Sequence, residues 1–254
     1  MGRALIEAGG ATQGIAIVAA LDVPGSPCIG RDAGEYAAAA RGVTIGSDIA
    51  AAVGACDVLV DFTRPEGTAA HVAACRAAKK KIVIGTTGFD AAQLDAIRAA
   101  SKEIAIVLAP SFSIGMNVTM KLVALASQAL GPDYDVEVFE VHHKHKVDAP
   151  SGTALKLGEV AARARGQELD DAGVFERHGI TGERRPGSIG FSVARGGDII
   201  GDHTVLFAGI GERVEVTHRS SSRATYAQGA MRGALWVAAK APGLYDMQDV
   251  LGFR

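Results

Sequence analysis

The first half of the chain alternates short apolar runs with alanine-rich segments, and this alternation constrains the fold more than any other feature. Four runs rich in β-branched residues occupy positions 14–21, 57–62, 81–84 and 103–108. Segments of helical character lie between them at positions 47–55, 68–78 and 91–101. Continuous apolar strands separated by helices indicate a parallel sheet that is covered on both faces. We therefore predict a Rossmann-like, doubly wound α/β domain.

Small residues, hydroxyls and glycines follow the expected strands. Asp22 ends the first run, a Thr-Arg-Pro-Glu-Gly-Thr segment follows the second, Gly85, Thr86 and Thr87 follow the third, and positions 109–113 follow the fourth. Each segment alone is an ordinary loop. In a parallel sheet, however, the carboxyl ends of the strands meet at one edge, where ligands bind. Residues of this kind let a ligand approach the backbone closely, so the sequence predicts a nucleotide crevice there.

The second half of the chain has a different pattern. A helix is expected at 115–130 and a half-exposed strand at 135–141. Three further strands, at 189–195, 203–209 and 213–219, are separated by glycine-rich turns without a helix between them. This order indicates an α+β domain with a mixed or antiparallel sheet. We expect the helical tail from 225 to return to the first domain, giving domains of 1–112 with 225–254, and 113–224.

Composition narrows the functional class. The 254 residues carry a formal net charge of -2, are 48% hydrophobic and 21% charged, and include three widely spaced cysteines. A near-neutral balance argues against nucleic-acid or membrane-surface binding. The cysteines show neither paired nor metal-type spacing, which favours reduced thiols. There is no apolar run of the roughly 18 residues that a membrane span requires, nor a signal-peptide pattern, so we expect a cytoplasmic protein.

Positions 142–146 contain three histidines and two lysines, directly before a Pro-Ser-Gly-Thr turn and a helix expected at 153–165. Ser151 or Thr153 would therefore lie at a helix N-terminus, where free N–H groups and the helix dipole attract anions. If the segment stays extended, His142, Lys144 and Lys146 share one side. A plain helix cap or a solvated basic loop is the simpler alternative. Metal binding is disfavoured because the histidines lack an i,i+4 pair and the interleaved lysines repel a cation. An anionic substrate with a nearby proton donor explains the cluster best.

The run E-V-F-E-V-H-H-K-H-K-V-D-A-P-S-G-T-A resembles the signature of the dihydrodipicolinate reductases, enzymes of lysine and diaminopimelate synthesis. Further similarity extends along the chain, in D-F-T-R-P-E-G-T at Asp61, I-G-T-T-G-F at Ile84, S-F-S-I-G-M-N-V at Ser111, R-G-G-D-I-I-G-D-H-T-V at Arg195 and D-M-Q-D-V-L-G at Asp246.

This resemblance implies hydride transfer from NADH or NADPH to a cyclic, imine-type dicarboxylate, giving tetrahydrodipicolinate with loss of water. It implies His142 as proton donor, Lys146 as its catalytic partner, His143 as a substrate contact, and Gly152 with Thr153 as a carboxylate site. It also implies a homotetramer assembled through the second domain. The nicotinamide-binding residues that it implies are Gly85, Thr86, Thr87, Ala109, Pro110, Ser111 and Phe112.

Two departures from the family pattern carry expectations of their own. Asp22 is followed by Val23 where the family often has arginine, so we expect NADH to be preferred over NADPH. The family also begins with a strand and a G-x-x-G-x-x-G loop, of which only Gly2 remains here. We therefore expect a shortened chain whose substrate domain folds and whose cofactor site is incomplete. Two alternatives follow: a non-catalytic remnant that binds the dicarboxylate, and a different nicotinamide-dependent reductase. Titration with NADH separates the remnant from either enzyme.

Overall fold

The computed structural model describes residues 1–254 as two compact units, Met1–Ile114 with Ala224–Arg254, and Gly115–Arg223. These bounds differ by one or two residues from those expected. The helices are α1 Gly2–Ala11, α2 Ile49–Ala55, α3 Pro65–Ala77, α4 Ala91–Ser101, α5 Ile114–Leu130, α6 Gly152–Ala164, α7 Leu169–Ala172, α8 Ala224–Val237 and α9 Met247–Val250. The strands are β1 Ala20–Leu21, β2 Ile45–Gly46, β3 Val58–Asp61, β4 Lys81–Ile84, β5 Ala105–Leu108, β6 Asp135–His142, β7 Gly173–Val174, β8 Ile189–Arg195, β9 Gly201–Ala208, β10 Arg213–Ser220 and β11 Gly243–Tyr245. No helix is long and apolar enough to cross a membrane.

The first unit is built on a four-stranded sheet in the order β11-β5-β4-β3, and every neighbouring pair is parallel. Ile82, Ile84 and Ile106 pack into one apolar cluster, whereas Val83 and Val107 pack into another. Alternate side chains of these strands therefore enter different cores, as expected for a sheet that is covered on both faces.

The predicted strand at 14–21 is mostly wrong. Only Ala20–Leu21 forms a strand, which pairs in parallel with Ile45–Gly46 as a separate two-stranded sheet. Ile15 and Ile17 still pack beside apolar clusters, so the apolar pattern was a correct signal of burial. A strand also needs a hydrogen-bonded neighbour, and β2 offers one of only two residues.

The second unit contains a five-stranded sheet in the order β10-β9-β6-β8-β7. β6 lies at its centre, antiparallel to β9 and parallel to β8, so the sheet is mixed as predicted. One face packs against α6 and shares an apolar cluster with it, including Val138, Leu157 and Phe207. The parallel sheet of the first unit and this mixed sheet together confirm the predicted fold class.

Candidate functional site

Strand β6 carries its candidate catalytic side chain on the face that builds the core. Val136, Val138, Glu140 and His142 are buried in alternation, whereas Phe139 is 40% exposed on the opposite face. This is the two-residue period of a strand with one covered face. The strand thus changes from apolar to ionisable residues without changing face, and His142 is held by the same packing that orders the core.

Glu140 is 1% exposed and is surrounded by hydrogen-bond donors. Arg195 approaches it with Nη1 2.8 Å from Oε2 and Nη2 2.9 Å from Oε1, a bidentate pair. The Ser151 N–H donates to Oε1 at 2.9 Å, and Oε2 contacts Nδ1 of His142. Burial alone would raise the pKa of Glu140, but the hydrogen bonds from Arg195, His142 and Ser151 outweigh it and lower the pKa. Glu140 is therefore a buried carboxylate anion.

His142 lies in a confined space. Its ring meets that of His203 edge-on, with centroids 5.0 Å apart. On another side is Gly201, where a Cβ atom would come within 3.0 Å of His142 Nε2. A side chain at position 201 would thus crowd the ring nitrogen that faces away from Glu140. Glycine keeps that nitrogen accessible.

His203 is a buried neutral imidazole. Burial lowers its pKa to about 4, and the nearby charge of His142 acts in the same direction. Its Nε2 is 3.1 Å from Ser151 Oγ, and its buried Nδ1 has no hydrogen-bond partner. From the sequence, Ser151 was expected only at a helix N-terminus, and its contacts with Glu140 and His203 were not predicted. His203, Glu140 and Arg195 were not among the candidate site residues. Glu140 and Arg195 lay within quoted motifs, but nothing in their local spacing indicated a pair 55 residues apart.

The chain turns after His142, so the extended alternation considered for Lys144 and Lys146 does not continue. The Lys146 N–H donates to the His143 carbonyl at 3.1 Å. The Lys146 ammonium instead contacts both oxygens of Asp148, at 2.7 and 2.9 Å. An open pocket of ≈ 540 Å³ lies beside this turn, lined by His143, Lys144, His145, Gly197, Asp198 and Arg223. Its lining carries more basic than acidic groups, which suits an anion.

Helix α6 begins directly after this turn. Ser151 is its N-cap, and the Ser151 hydroxyl accepts from the Ala154 N–H at 3.2 Å. A Cβ atom on Gly152 would meet nothing within 4 Å, so the helix terminus is open at that residue. Thr153 occupies the first turn and is half-buried. The N-terminal N–H groups of a 13-residue helix favour a carboxylate at this position.

The predicted cofactor residues Gly85, Thr86 and Thr87 follow β4 in the first unit. Gly85 lies under the Phe62 ring, since a Cβ atom there would come within 2.2 Å of it. Thr86 is buried, and its Oγ1 accepts from the Thr63 N–H at 3.0 Å. Thr87 is exposed. Gly85 and Thr86 thus shape the loop, while Thr87 remains free to meet a ligand.

Ala109, Pro110, Ser111 and Phe112 follow β5. Ala109 and Phe112 are buried in the core, Pro110 is exposed and Ser111 is half-buried. A Cβ atom on Gly229 would lie 1.7 Å from the Phe112 carbonyl oxygen, so α8 packs against this loop through glycine. The side chains of Ala109 and Phe112 serve packing, whereas Pro110 is exposed and Ser111 is partly accessible.

A buried carboxylate orders the loop after β3, and the sequence analysis did not select it. Asp61, 1% exposed, accepts from the Thr63 N–H at 3.1 Å and from the hydroxyls of Thr63 and Thr68, and it lies 3.3 Å from His71 Nδ1. Burial would raise the pKa of Asp61, but hydrogen bonds from His71, Thr63 and Thr68 hold it below its usual value. Through Thr63, which also donates to Thr86, this network joins two loops of the candidate cofactor site.

Asp22 and Gly2 belong to the first unit but not to its four-stranded sheet. Asp22 directly follows β1, and its carboxylate accepts from the Val23 N–H at 2.8 Å and from the Ser26 hydroxyl at 2.7 Å. Gly2 is the exposed first residue of α1, and a Cβ atom there would meet nothing within 4 Å. The Asp22 carboxylate shapes its own turn and retains lone pairs for a further donor.

The donor set fits a nicotinamide dinucleotide. Threonine hydroxyls, close-packed glycine loops and the half-buried Ser111 lie at the carboxyl ends of β3, β4 and β5, where an α/β sheet binds such ligands. The exposed Arg64 at the N-cap of α3 adds a positive charge that suits phosphate.

Comparisons with known proteins match the same family over almost the whole chain. A family model described as the N-terminus of dihydrodipicolinate reductase matches residues 1–112, and one described as its C-terminus matches residues 115–251. Proteins named 4-hydroxy-tetrahydrodipicolinate reductase from Thiobacillus denitrificans and Cupriavidus necator are each 56% identical over 254 residues, spanning 100% of this chain and 95% and 96% of the relatives.

Solved structures show the same likeness. A dipicolinate-bound dihydrodipicolinate reductase from Paenisporosarcina sp. TG-14 has a TM-score of 0.78 at 25% identity, covering 98% of this chain and 94% of that chain. GenD2 from gentamicin A biosynthesis, solved in complex with NAD, has a TM-score of 0.58 at 14% identity, covering 94% of this chain and 83% of that chain, which shows the shared fold alone.

Proposed function

Because the chain belongs to the dihydrodipicolinate reductase family, we propose that it reduces 4-hydroxy-tetrahydrodipicolinate to tetrahydrodipicolinate, with the 4-hydroxyl group lost as water, in lysine and diaminopimelate synthesis. The observation that carries this proposal is the buried His142, hydrogen-bonded to the Glu140 anion and followed by a basic pocket and an open helix N-terminus. A proton donor beside two kinds of anion-binding group suits a dicarboxylate that gains both a hydride and a proton.

His142 is the proposed proton donor. When bound, a nicotinamide cofactor supplies the hydride. The electron pair that the reduction leaves on the substrate must take up a proton, and an imidazole within hydrogen-bond reach serves as a general acid. His142 Nε2, which faces away from Glu140, is the atom suited to this transfer. His142 then takes a new proton from solvent before the next turnover.

Lys146, His143, Gly152 and Thr153 are the proposed substrate-binding residues. Lys146 offers an ammonium that already holds a carboxylate, that of Asp148. Lys146 contacts the substrate and stabilises the negative charge that develops during reduction. One substrate carboxylate lies at the N-terminus of α6, against Gly152 and the Thr153 hydroxyl. His143 lines the basic pocket and contacts the substrate from there.

The first unit holds the cofactor through the loops after β3, β4 and β5, with Thr87, Pro110 and Ser111 at the ligand. We expect NADH to be preferred over NADPH, because the Asp22 carboxylate accepts hydrogen bonds from ribose hydroxyls and repels a 2′-phosphate. Val23 beside it offers no compensating charge.

The chain assembles as a homotetramer in this proposal, through the face of the five-stranded sheet that α6 does not cover. That face, the outer face, carries Phe139, Val141, Ser192, Thr204, Leu206 and Thr217. Phe139 is 40% exposed, and the Thr204 and Thr217 hydroxyls pair across strands at 2.9 Å. A sheet face that mixes apolar side chains with self-satisfied hydroxyls suits contact with a second copy.

Steady-state kinetics of His142→Gln and Lys146→Ala test the function. Both variants should oxidise NADH only when the substrate is supplied, with kcat for His142→Gln lowered about 10²–10⁴-fold, the usual contribution of a general acid. NADH affinity should stay near that of the wild type, and wild-type kcat/KM should be larger with NADH than with NADPH. His178→Gln, which changes an exposed histidine of the same unit, is the matched control. Wild-type rates in both site variants would contradict the assigned roles.

A further inference from the structure

The Glu140 carboxylate meets four donors: His142 Nδ1, the Ser151 N–H, and Nη1 and Nη2 of Arg195. An ionised carboxylate offers about four lone-pair positions and only accepts hydrogen bonds. Each donor thus has an acceptor position, and the nitrogen of His142 that contacts Oε2 must carry a hydrogen. The neutral ring then has its proton on Nδ1 and a free lone pair on Nε2.

The surroundings of Nε2 agree with this tautomer. Gly201 leaves the space where a Cβ atom would come within 3.0 Å of Nε2. The charged or titratable groups around the His142 ring are Glu140 on its own strand, Arg195 beside it on β8 and His203 on β9, and Lys146 of the following turn lies close enough to act on His203. Among these, the structure shows only Glu140 bonded to the ring, so Glu140 alone sets which nitrogen carries the proton.

Arg195 ties a second element to the same carboxylate. Besides its bidentate pair, its Nη2 donates to the Asp148 carbonyl at 2.7 Å, and the Asp148 side chain holds Lys146. A continuous series of polar contacts thus runs from His142 through Glu140, Arg195 and Asp148 to Lys146. Displacing the guanidinium would release both the carboxylate and the turn that carries Lys146.

We propose that Glu140, clamped by Arg195, is the positioning residue of His142: it holds one proton on Nδ1, so that Nε2 takes up a second proton from solvent and passes that proton to the substrate. The inference rests on the proposed role of His142 as proton donor. A purely structural role, in which the ion pair only joins β6 to β8, would stabilise the sheet without selecting a tautomer.

Nitrogen-15 NMR of histidine-labelled enzyme, combined with kinetics, separates these roles. At a pH high enough to leave the ring neutral, the wild type should show His142 as the Nδ1–H tautomer, its signals assigned by their loss in His142→Gln. In Glu140→Gln the amide can donate as well as accept, so both tautomers should appear. Its kcat should fall by up to about 10⁴-fold, the loss seen when a histidine loses its orienting carboxylate, with KM changed far less.

The matched control is Glu103→Gln. Glu103 lies in the first unit, and its carboxylate also accepts from two cations, Arg76 at 2.7 Å and Lys79 at 2.6 Å. The Glu103→Gln variant should alter neither the tautomer nor kcat.

Three results would overturn the inference: a wild-type ring with its hydrogen on Nε2; a tautomer unchanged in Glu140→Gln; or a wild-type kcat in Glu140→Gln while His142→Gln is impaired. A wild-type rate in His142→Gln would instead refute the proposed function, and the catalytic half of the inference with it. The tautomer, measured without turnover, still reports whether Glu140 sets it.

Discussion

The buried His203 of the candidate site makes the free energy of unfolding depend on pH. Its pKa is about 4 in the folded chain, against an ordinary value of 6.5. As pH falls below 6.5, His203 binds a proton in the unfolded chain but not in the folded chain. The free energy of unfolding therefore decreases until pH reaches about 4. We expect this residue to account for a loss of about 2 kcal/mol between pH 7 and pH 5.

Urea unfolding of the wild type and of His203→Gln at both pH values measures this loss. The wild type should lose about 2 kcal/mol more than the variant on acidification. His178→Gln, at an exposed position, should lose as much as the wild type. An equal loss in the wild type and His203→Gln would show that His203 is protonated in the fold, or that its ring leaves its buried position.

The connection from β3 to α3 depends on one buried side chain, Asp61. Its carboxylate accepts from Thr63 and Thr68 and lies 3.3 Å from His71 Nδ1, so replacement by asparagine sets an NH₂ donor where hydroxyl donors now point. An unsatisfied buried group costs about 1–3 kcal/mol. We therefore expect Asp61→Asn to lower the free energy of unfolding by that amount. We also expect weaker NADH binding, because Thr63 donates to Thr86 in the adjoining cofactor loop.

Calorimetric NADH titration and urea unfolding measure the two effects of Asp61→Asn. Asp57→Asn, an exposed change just before the same strand, is the control and should leave both nearly unchanged. Lower stability with wild-type NADH affinity would show that the network supports the fold but does not order the loops for the cofactor.

Helices and strands whose bounds depend only on the local residue pattern could be predicted from the sequence. β4 and α4 have the expected bounds, and a capping box at Asp90 and Gln93 marks where α4 begins. α3 begins at Pro65 instead of position 68, because proline suits the first turn of a helix and extends it toward the strand. β11 and β7 were not predicted, since each is two or three residues long and exists through its neighbour. Residues 14–19 form no strand, because β2 offers a pairing partner to Ala20–Leu21 only.

The candidate site likewise contains some residues that the sequence alone could indicate and others that it could not. The basic cluster at 142–146 and the helix start at Ser151 or Thr153 could be selected from their residue types and spacing, whereas the roles of His142 and Lys146 were implied by the family resemblance. Their supports could not be selected, because Arg195, His203 and Asp61 act through contacts with residues that only the fold brings near. A lone arginine or aspartate in a sequence gives no sign of its partner.

At the scale of the whole molecule, the proposed homotetramer makes the outer face an interface. Light scattering with size-exclusion chromatography should give four times the 26.1 kDa chain mass. Phe139→Glu should dissociate the assembly, because a charge buried between copies lacks a partner. The monomeric chain should stay folded, since that side chain is 40% exposed in the single chain.

Leu125→Glu is the control for assembly. Leu125 lies on α5, away from the sheet, and is 61% exposed. Its variant should keep the wild-type mass. A monomeric wild type, or an intact tetramer in Phe139→Glu, would show that the outer face is not the interface.

Because inward-facing and outward-facing side chains alternate along β6, catalytic activity indicates whether this strand is correctly aligned in the sheet. Val136, Val138, Glu140 and His142 share one face, so a shift of β6 by one position would turn Asp135, Glu137, Phe139 and Val141 inward and send Glu140 and His142 outward. Such a misaligned chain could still be rich in strand, since the backbone hydrogen bonds between strands do not depend on which side chains face inward. It would have no proton donor. In a refolding experiment, recovered activity therefore counts the molecules whose central strand is aligned, and recovered circular dichroism counts aligned and misaligned molecules together.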